Sequence, residues 1–317
     1  MGTTWSVNLN APGLSRQEQR QARVRIQESL DAVDRSMSTW DQTSEVSRFN
    51  AHPSTEPFPL SEPTLRVLAL AHEVSEQTDG AFDVTVRPLV AAWGFGADAR
   101  IPGIPPDEAE LEFLGRRVGF QRLELDPETG TARKTHPALE IDLSAIAKGF
   151  AVDEVGRALQ GAGFSDFLVE VGGEVLARGE RPDGGPWRLA IERPEPDGRA
   201  LHAVVALEDQ AMATSGDYRN FYEAGERRLA HIVDPRNGRP VDHALASVSV
   251  VHPQASLADA WATALTVLGP EEGLRLAESL ELSAYLISRR PDGSYQLAAT
   301  DGFPPIQTPA DEVQEAE

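Results

Sequence analysis

The chain has 317 residues, a formal net charge of −21, 40% hydrophobic and 25% charged residues, and no cysteine. Its length allows one large domain or two ordinary ones. Its charge works against a nucleic-acid face or a polybasic lipid patch, and without thiols it has no disulfide, thiolate nucleophile or zinc–thiolate site.

The opening MGTTWSVNLN has no basic region followed by an apolar run, and no stretch of about 18 apolar residues could span a membrane. Alternation in Thr3–Leu9 predicts a strand. A long amphipathic helix capped near Ser15 follows, then a polar, proline-rich loop from about Thr39 to Pro63, with room for one helical turn and of the length that often carries function. A helix is predicted over Glu62–Gln77, then the turn TDGAFDVT, a short helix in RPLVAAWGFG and another in PPDEAELEFLGRRVG. QRLELD, TARKTH and ALEIDL read as short strands, and AIAKGFAVDEVGRALQGAG as a helix. DFLVEVGGEVLARG reads as strand, Gly-Gly turn, strand. Five further strands, WRLAIERP, LHAVVALE, QAMATSG, RLAHIVDP and ASVSVVHP, lead to the apolar helix SLADAWATAL. EEGLRLAESL and the strands SAYLISR and SYQLAA follow it. Strands and helices do not alternate strictly, which predicts an α+β fold of mostly antiparallel sheets covered by helices, with a helical N-terminal portion. No linker divides the chain. One domain is expected over residues 1–303, with an acidic tail without fixed structure over 304–317.

No Walker A, strand-linked G-x-G-x-x-G, G-x-S-x-G, H-E-x-x-H or kinase signature is present. The candidate chemistry is more dispersed. Asp259 and Thr263 are four apart, on one face of a helix. A carboxylate and a hydroxyl there suit Mg²⁺, which takes few protein ligands. Equally, Ser256 could cap that helix with Asp259 completing a capping box, and Thr263 could bond back to its own helix. Asp142 and Ser144 stand at a helix start of the kind that holds phosphate, with Lys148 one turn in, as either a ligand cation or a surface lysine. His231 is a general base or a structural strand histidine. Trp40 is an exposed ring for stacking or a core anchor. Small residues around Ser215, in ATSGDYRNF, and in TDGAFDVT allow close approach of a ligand or form plain turns.

Read in order, MGTTW, MSTWDQTSEVSRFN, TDGAFDVTVRPLVAAWGFG, IDLSAIAKGFAVDEV, FLVEVGGEVLARG, ATSGDYRNF, HIVDPRNGRPV and ADAWATAL resemble the ApbE family of flavin transferases, over about Met1 to Leu268. The resemblance implies an enzyme that binds FAD and Mg²⁺ and moves FMN from FAD onto a threonine or serine hydroxyl of a target protein, releasing AMP. It places metal ligands at Asp259, Thr263 and the carbonyl of Ala145, with Ala262 as a weak further carbonyl. It places flavin and adenine contacts at Met1, Ala81, Phe82, Asp83, Asp142, Lys148 and Ile232, and Ser215 joins this candidate set. Trp40 stands at a tyrosine position of the family. Asn50 stands at a position tied to the balance between transfer and FAD hydrolysis. Glu174 stands where asparagine or aspartate is more usual. For the chemistry, Lys148 is a second cation, His231 the candidate base, and Asp234 its orienter or alternative. The competing readings are a metal-dependent FAD pyrophosphatase, a non-catalytic FAD-binding protein and a ligand-free structural module. Longer family members usually carry an export signal or lipid-anchoring cysteine before the position of Met1. The expected compartment is therefore periplasmic or membrane-anchored where such a segment exists, and cytoplasmic otherwise.

Overall fold

The computed structural model describes residues 2–100, 104–195, 198, 200–218, 220–224 and 227–308. Met1, a predicted ligand contact, and residues 309–317 of the expected tail lie outside the described residues. The chain forms two compact units, each assembled from separated segments. The first comprises Asp31–Ala147 and Asn220–His243, and the second Gly2–Leu30, Lys148–Arg219 and Ala244–Glu317. Among the described residues, no helix is long and apolar enough to cross a membrane.

The second unit is built on a seven-stranded sheet. Its spatial order is Trp5–Leu9, Phe167–Val171, Glu174–Arg178, Ala211–Gly216, Leu245–His252, Ser283–Arg289 and Tyr295–Ala299. Every neighbouring pair is antiparallel. Alternate residues point to opposite faces. On one face Val175, Met212, Val251 and Ile287, with Phe303 from the segment after the last strand, pack against Trp187, Leu189, Ile191, Val205 and Leu207. The latter belong to a three-stranded sheet of Trp187–Glu192, Leu201–Leu207 and Ile306–Gln307. Ile306–Gln307 thus gives the start of the expected tail a strand, paired to Val204 and Val205. Helix Ala255–Ser279 lies against the central strands Ala211–Gly216 and Leu245–His252. It is two helical stretches separated by a kink at Gly269 (φ 82°), before Pro270, which has no N–H to continue the ladder.

The first unit holds helices Glu45–Ala51, Glu62–Gln77, Arg87–Ala92 and Glu108–Gly115, with small antiparallel sheets. One sheet orders Phe58–Pro59, Thr131–Lys134 and Leu123–Asp126. Leu89, Trp93, Leu111, Val118 and Val233 form one of its cores, where the Trp93 indole N–H donates to the Gly238 carbonyl at 2.7 Å. Helix Arg16–Met37 opens with a capping box: the Glu18 N–H meets the Ser15 hydroxyl at 3.3 Å, and the Ser15 N–H meets the Glu18 carboxylate at 2.8 Å.

The α+β architecture with antiparallel sheets agrees with the sequence. Three local readings are corrected. The long loop contains a two-turn helix, Glu45–Ala51, whose first turn is capped by the Ser44 hydroxyl accepting the Ser47 N–H at 3.0 Å. RLAHIVDP is two short strands, Arg227–Ala230 and Val233–Asp234, because His231 N–H turns to the Asn220 carbonyl at 3.0 Å. ALEIDL is not a strand. Both backbone groups of Ile141 are taken by the Asn50 side chain, each at 2.8 Å, and the Asp142 N–H goes to the Val84 carbonyl at 2.7 Å. A ladder has no groups left there to use.

Gly149, in helix Ala147–Gly161, marks the tightest approach in the second unit. A β-carbon placed there would lie 2.1 Å from the Ala255 carbonyl oxygen, which is backbone and cannot swing away. Gly149→Ala should therefore cost about 3 kcal/mol or more of unfolding free energy, read as a lowered urea midpoint. A near-neutral result would show that the two helix ends are not held in this contact.

Candidate active site

Asp259 is 2% exposed on an alanine-rich helix whose neighbours Ala258, Ala260, Ala262 and Ala264 are fully buried. One carboxylate oxygen accepts the Gly149 N–H at 3.0 Å, and the Lys148 ammonium lies 3.1 and 3.3 Å from the two oxygens. Lys148 also reaches Glu174 Oε1 at 3.2 Å. Burial pulls the Lys148 pKa down, but Asp259 and Glu174 outweigh it and hold the ammonium above its ordinary value. Burial, with Asp259 nearby, pushes the Glu174 carboxyl up to about 8, against the opposing pull of Lys148. Glu174 is 3% exposed, and its Oε2 has no hydrogen-bond partner among the described residues. Two carboxylates thus share one ammonium inside the protein.

The structural alternatives for Asp259 and Thr263 fail on geometry. The N-cap of this helix is Gln254, not Ser256. The free N–H groups of Ala255 and Ser256 go to the two oxygens of Asp153, at 2.8 and 3.0 Å. Asp259 therefore completes no capping box. The back-bond expected of Thr263 is made instead by Thr266, to the Ala262 carbonyl at 2.7 Å. The Thr263 hydroxyl meets the Ser215 hydroxyl at 3.1 Å, on a helix face only half-buried at that position. Among the described residues, no three His, Cys, Asp or Glu side chains gather to hold a metal by themselves. A carboxylate with a nearby hydroxyl pair is the donor set of a hard cation that completes its shell with water or phosphate oxygens.

Asp142, Ala145, Ala81, Phe82, Asp83, Asn50, Trp40, His231, Ile232 and Asp234 belong to the first unit, whereas Lys148, Ser215, Asp259 and Thr263 belong to the second. Within the first unit, Asp142 accepts the Ser144 N–H at 2.8 Å, shaping the turn that contains Ala145. Asp83 is buried, which raises its pKa, and its oxygens are taken by Thr85 N–H and hydroxyl and by Phe120 N–H, each at 2.7 Å. Ala81, Phe82 and Ile232 are buried beside these turns. His231 Nδ1 meets the Asn220 carbonyl at 3.1 Å. In a neutral ring this makes Nδ1 the donor and Nε2 the basic nitrogen. Asp234 is committed to the turn after it: Arg236 binds it with Nε at 3.0 Å and Nη2 at 2.9 Å, and Asn237 joins at 3.2 Å.

Trp40 is 74% exposed, not a core anchor. Its loop is stapled beneath it, since the Ser38 carbonyl accepts the Ser44 and Ser47 hydroxyls at 2.6 and 3.2 Å. Lys134 is fully buried. Its ammonium donates to the carbonyls of Asn50, Pro137 and Leu139 at 3.2–3.3 Å and lies 5.1 Å from the Phe49 ring centroid. Burial lowers its pKa. Lys134 thereby ties Asn50 to the same segment that the Asn50 amide clamps. Sequence reasoning missed Asp153 and the role of Lys134, because each acts on backbone that no local pattern marks.

The second unit thus offers a buried carboxylate–ammonium group and, one turn along the same helix, a hydroxyl pair, a combination suited to an anionic ligand and a hard cation. The ApbE family model matches residues 1–286, and the chain belongs to that family. An FAD:protein FMN transferase of Vibrio cholerae serotype O1 is 40% identical over 96% of this chain and 90% of its own length. One from Escherichia coli K12 is 38% identical over 92% and 83%. The solved flavin transferase ApbE from Vibrio cholerae superposes with a TM-score of 0.87 at 40% identity, covering 96% of this chain and 95% of that one. The apo flavinyl transferase ApbE of Pseudomonas stutzeri gives 0.85 at 35% identity, over 95% and 92%.

Asp153→Ala should lower stability by about 1–2 kcal/mol, the cost of a lost cap, while Asp153→Asn keeps part of it. Chemical denaturation of both variants checks this. Lys134→Met, which strands three buried carbonyls, should cost about 2–4 kcal/mol. The folded protein binds the Lys134 proton less tightly than the unfolded chain does. Wild type should therefore gain stability as pH rises from the lowered folded pKa toward the ordinary lysine value, and Lys134→Met should lack that gain. Parallel denaturation curves across the alkaline range test the sign.

Proposed function

We propose that this chain transfers FMN from FAD onto a threonine or serine hydroxyl of a target protein, releasing AMP, with Mg²⁺ held at Asp259 and Thr263. The observation that carries the metal assignment is the buried Asp259, which neither caps its helix nor finds an apolar reason to be there. The names of the 40%- and 38%-identical relatives support the reaction. Mg²⁺, when bound, supplies positive charge to the pyrophosphate of FAD, which a chain of net charge −21 otherwise repels.

The residues of the chain supply the rest. Lys148 is a compact ammonium whose pKa is held above its ordinary value, chiefly by Asp259. The acceptor hydroxyl attacks the phosphorus of the FMN half. The new P–O bond forms as the bond to AMP breaks, and AMP departs with the electron pair. His231 Nε2 takes the hydroxyl proton; the Nδ1 contact with Asn220 fixes the tautomer for that step. Asp234, tied up by Arg236, serves the turn rather than the proton. Trp40 offers an exposed ring on a stapled loop for stacking on a flat ring system. Ala81, Phe82, Asp83, Asp142, Ile232 and Ser215 remain the contact positions for the flavin and adenine parts, and Asn50 acts through the Ile141 backbone that it clamps.

The decisive experiment is intact-mass analysis of a candidate flavoprotein subunit after incubation with this protein, FAD and Mg²⁺. A gain of one FMN is expected, with Asp259→Ala losing more than about a hundredfold in rate, the scale of several kcal/mol of charge stabilisation. Free FMN and AMP without an adduct on any acceptor would turn the reading to hydrolysis. Trp40→Ala should leave the unfolding midpoint unchanged and weaken FAD binding by about fivefold to tenfold, the worth of one stacked ring, measured by titration of flavin fluorescence.

A further inference from the structure

Lys148 is placed between two carboxylates, and only one of them is proposed to bind metal. Its ammonium lies 3.1 Å from Asp259 Oδ1 and 3.2 Å from Glu174 Oε1. Asp259 is satisfied on its other side by the Gly149 N–H at 3.0 Å. Glu174 is not: its Oε2 is buried and has no partner among the described residues. An unpaired buried acceptor costs about 1–3 kcal/mol, and Glu174 has capacity left for a closer contact with the ammonium beside it.

An ammonium and a dication on the same carboxylate repel each other. If Asp259 takes a divalent cation, Lys148 has to give up that carboxylate or oppose the binding. The seat it needs is already beside it. The lysine side chain lies over the Gly172–Gly173 turn. A β-carbon at Gly172 (φ 63°) would lie 3.0 Å from the Thr3 side chain and 3.4 Å from Lys148 Cδ, so the glycine lets the lysine stem pass close to the turn. The ammonium already touches Glu174, so the change is a shift of weight from one carboxylate to the other, with no large displacement.

We propose that Glu174 is a positioning residue that receives Lys148 when Asp259 binds a divalent cation, so that Lys148 acts as the placeholder cation of the metal-free protein. This rests on the assignment of Asp259 as a metal ligand made above. It goes beyond that assignment in giving a role to the glutamate of the VGGEV turn, which draws a competitor away from the metal site without removing the cation from the neighbourhood.

The test is a double-mutant cycle read as Mg²⁺ affinity by calorimetry, with no FAD or acceptor present. Circular dichroism confirms that each variant is folded. Lys148→Met should bind Mg²⁺ severalfold more tightly than wild type. Glu174→Gln should bind about tenfold more weakly, the scale of one charge-assisted hydrogen bond lost to the competing state. In the Lys148→Met background, Glu174→Gln should change the affinity by less than about twofold, because its effect passes through the lysine. Lys148→Gln replaces Lys148→Met in the cycle if the methionine variant does not fold. An equal loss in both backgrounds is a plain charge effect and overturns the proposal, as does unchanged affinity in Glu174→Gln alone. If wild type binds no Mg²⁺, the metal assignment itself falls and this inference with it.

Discussion

The second unit depends on the contact of two helix ends at Gly149. Without a side chain there, helix Ala147–Gly161 comes close enough for its backbone to touch the carbonyl of Ala255. That closeness makes three other contacts possible. Asp153 reaches across to the N–H groups of Ala255 and Ser256, Gly149 gives its own N–H to Asp259, and Lys148 extends to the same carboxylate. One helix thus supplies the cap, a neutral donor and a cation to the start of the other. A buried carboxylate is costly unless it is hydrogen-bonded and paired. Both partners of Asp259 come from a single rigid element, and its helix is held in register by a third residue of that element.

The first unit uses a similar economy with the opposite charge. Lys134 is a buried cation with backbone carbonyls around it, an arrangement that costs desolvation but ties the chain at Asn50 to the segment 134–139. Asn50 completes it by offering a donor and an acceptor to one residue, Ile141, as a neighbouring strand would. The segment 139–142 is therefore extended and satisfied without being part of a sheet, and it delivers Asp142 in a fixed place. A side-chain amide has replaced a strand.

Most of the architecture is legible in the sequence because it rests on local periods. The strands Trp5–Leu9 and Phe167–Val171 alternate, the helix Glu62–Gln77 has proline near its start, and VGGEV turns where two glycines with positive φ allow it. ALEIDL departs from its pattern for a physical reason: the alternation suits a strand, but its partner is a side chain 91 residues earlier in the chain. No linker could mark the two units, since each is gathered from segments far apart in sequence. At the site, Asp259 and Thr263 stand out as polar interruptions of an apolar helix, yet sequence alone does not separate a capping box from a ligand pair. Two contacts between distant or displaced residues decide against capping. Asp153 already holds the helix start, and the back-bond falls on Thr266, three residues beyond Thr263.

The distribution of lysine has a further consequence. The chain has two, one sealed in the first unit and one engaged by two carboxylates in the second. The positive charge on the surface is carried by guanidinium groups, which do not react with amine-directed reagents. Acylating labels, lysine crosslinkers and enzymes that acetylate side-chain amines would therefore find almost no reactive side chain. Lys148 is partly exposed but held as an ammonium, so the rate at which it is labelled would report on its release from the Asp259–Glu174 pair.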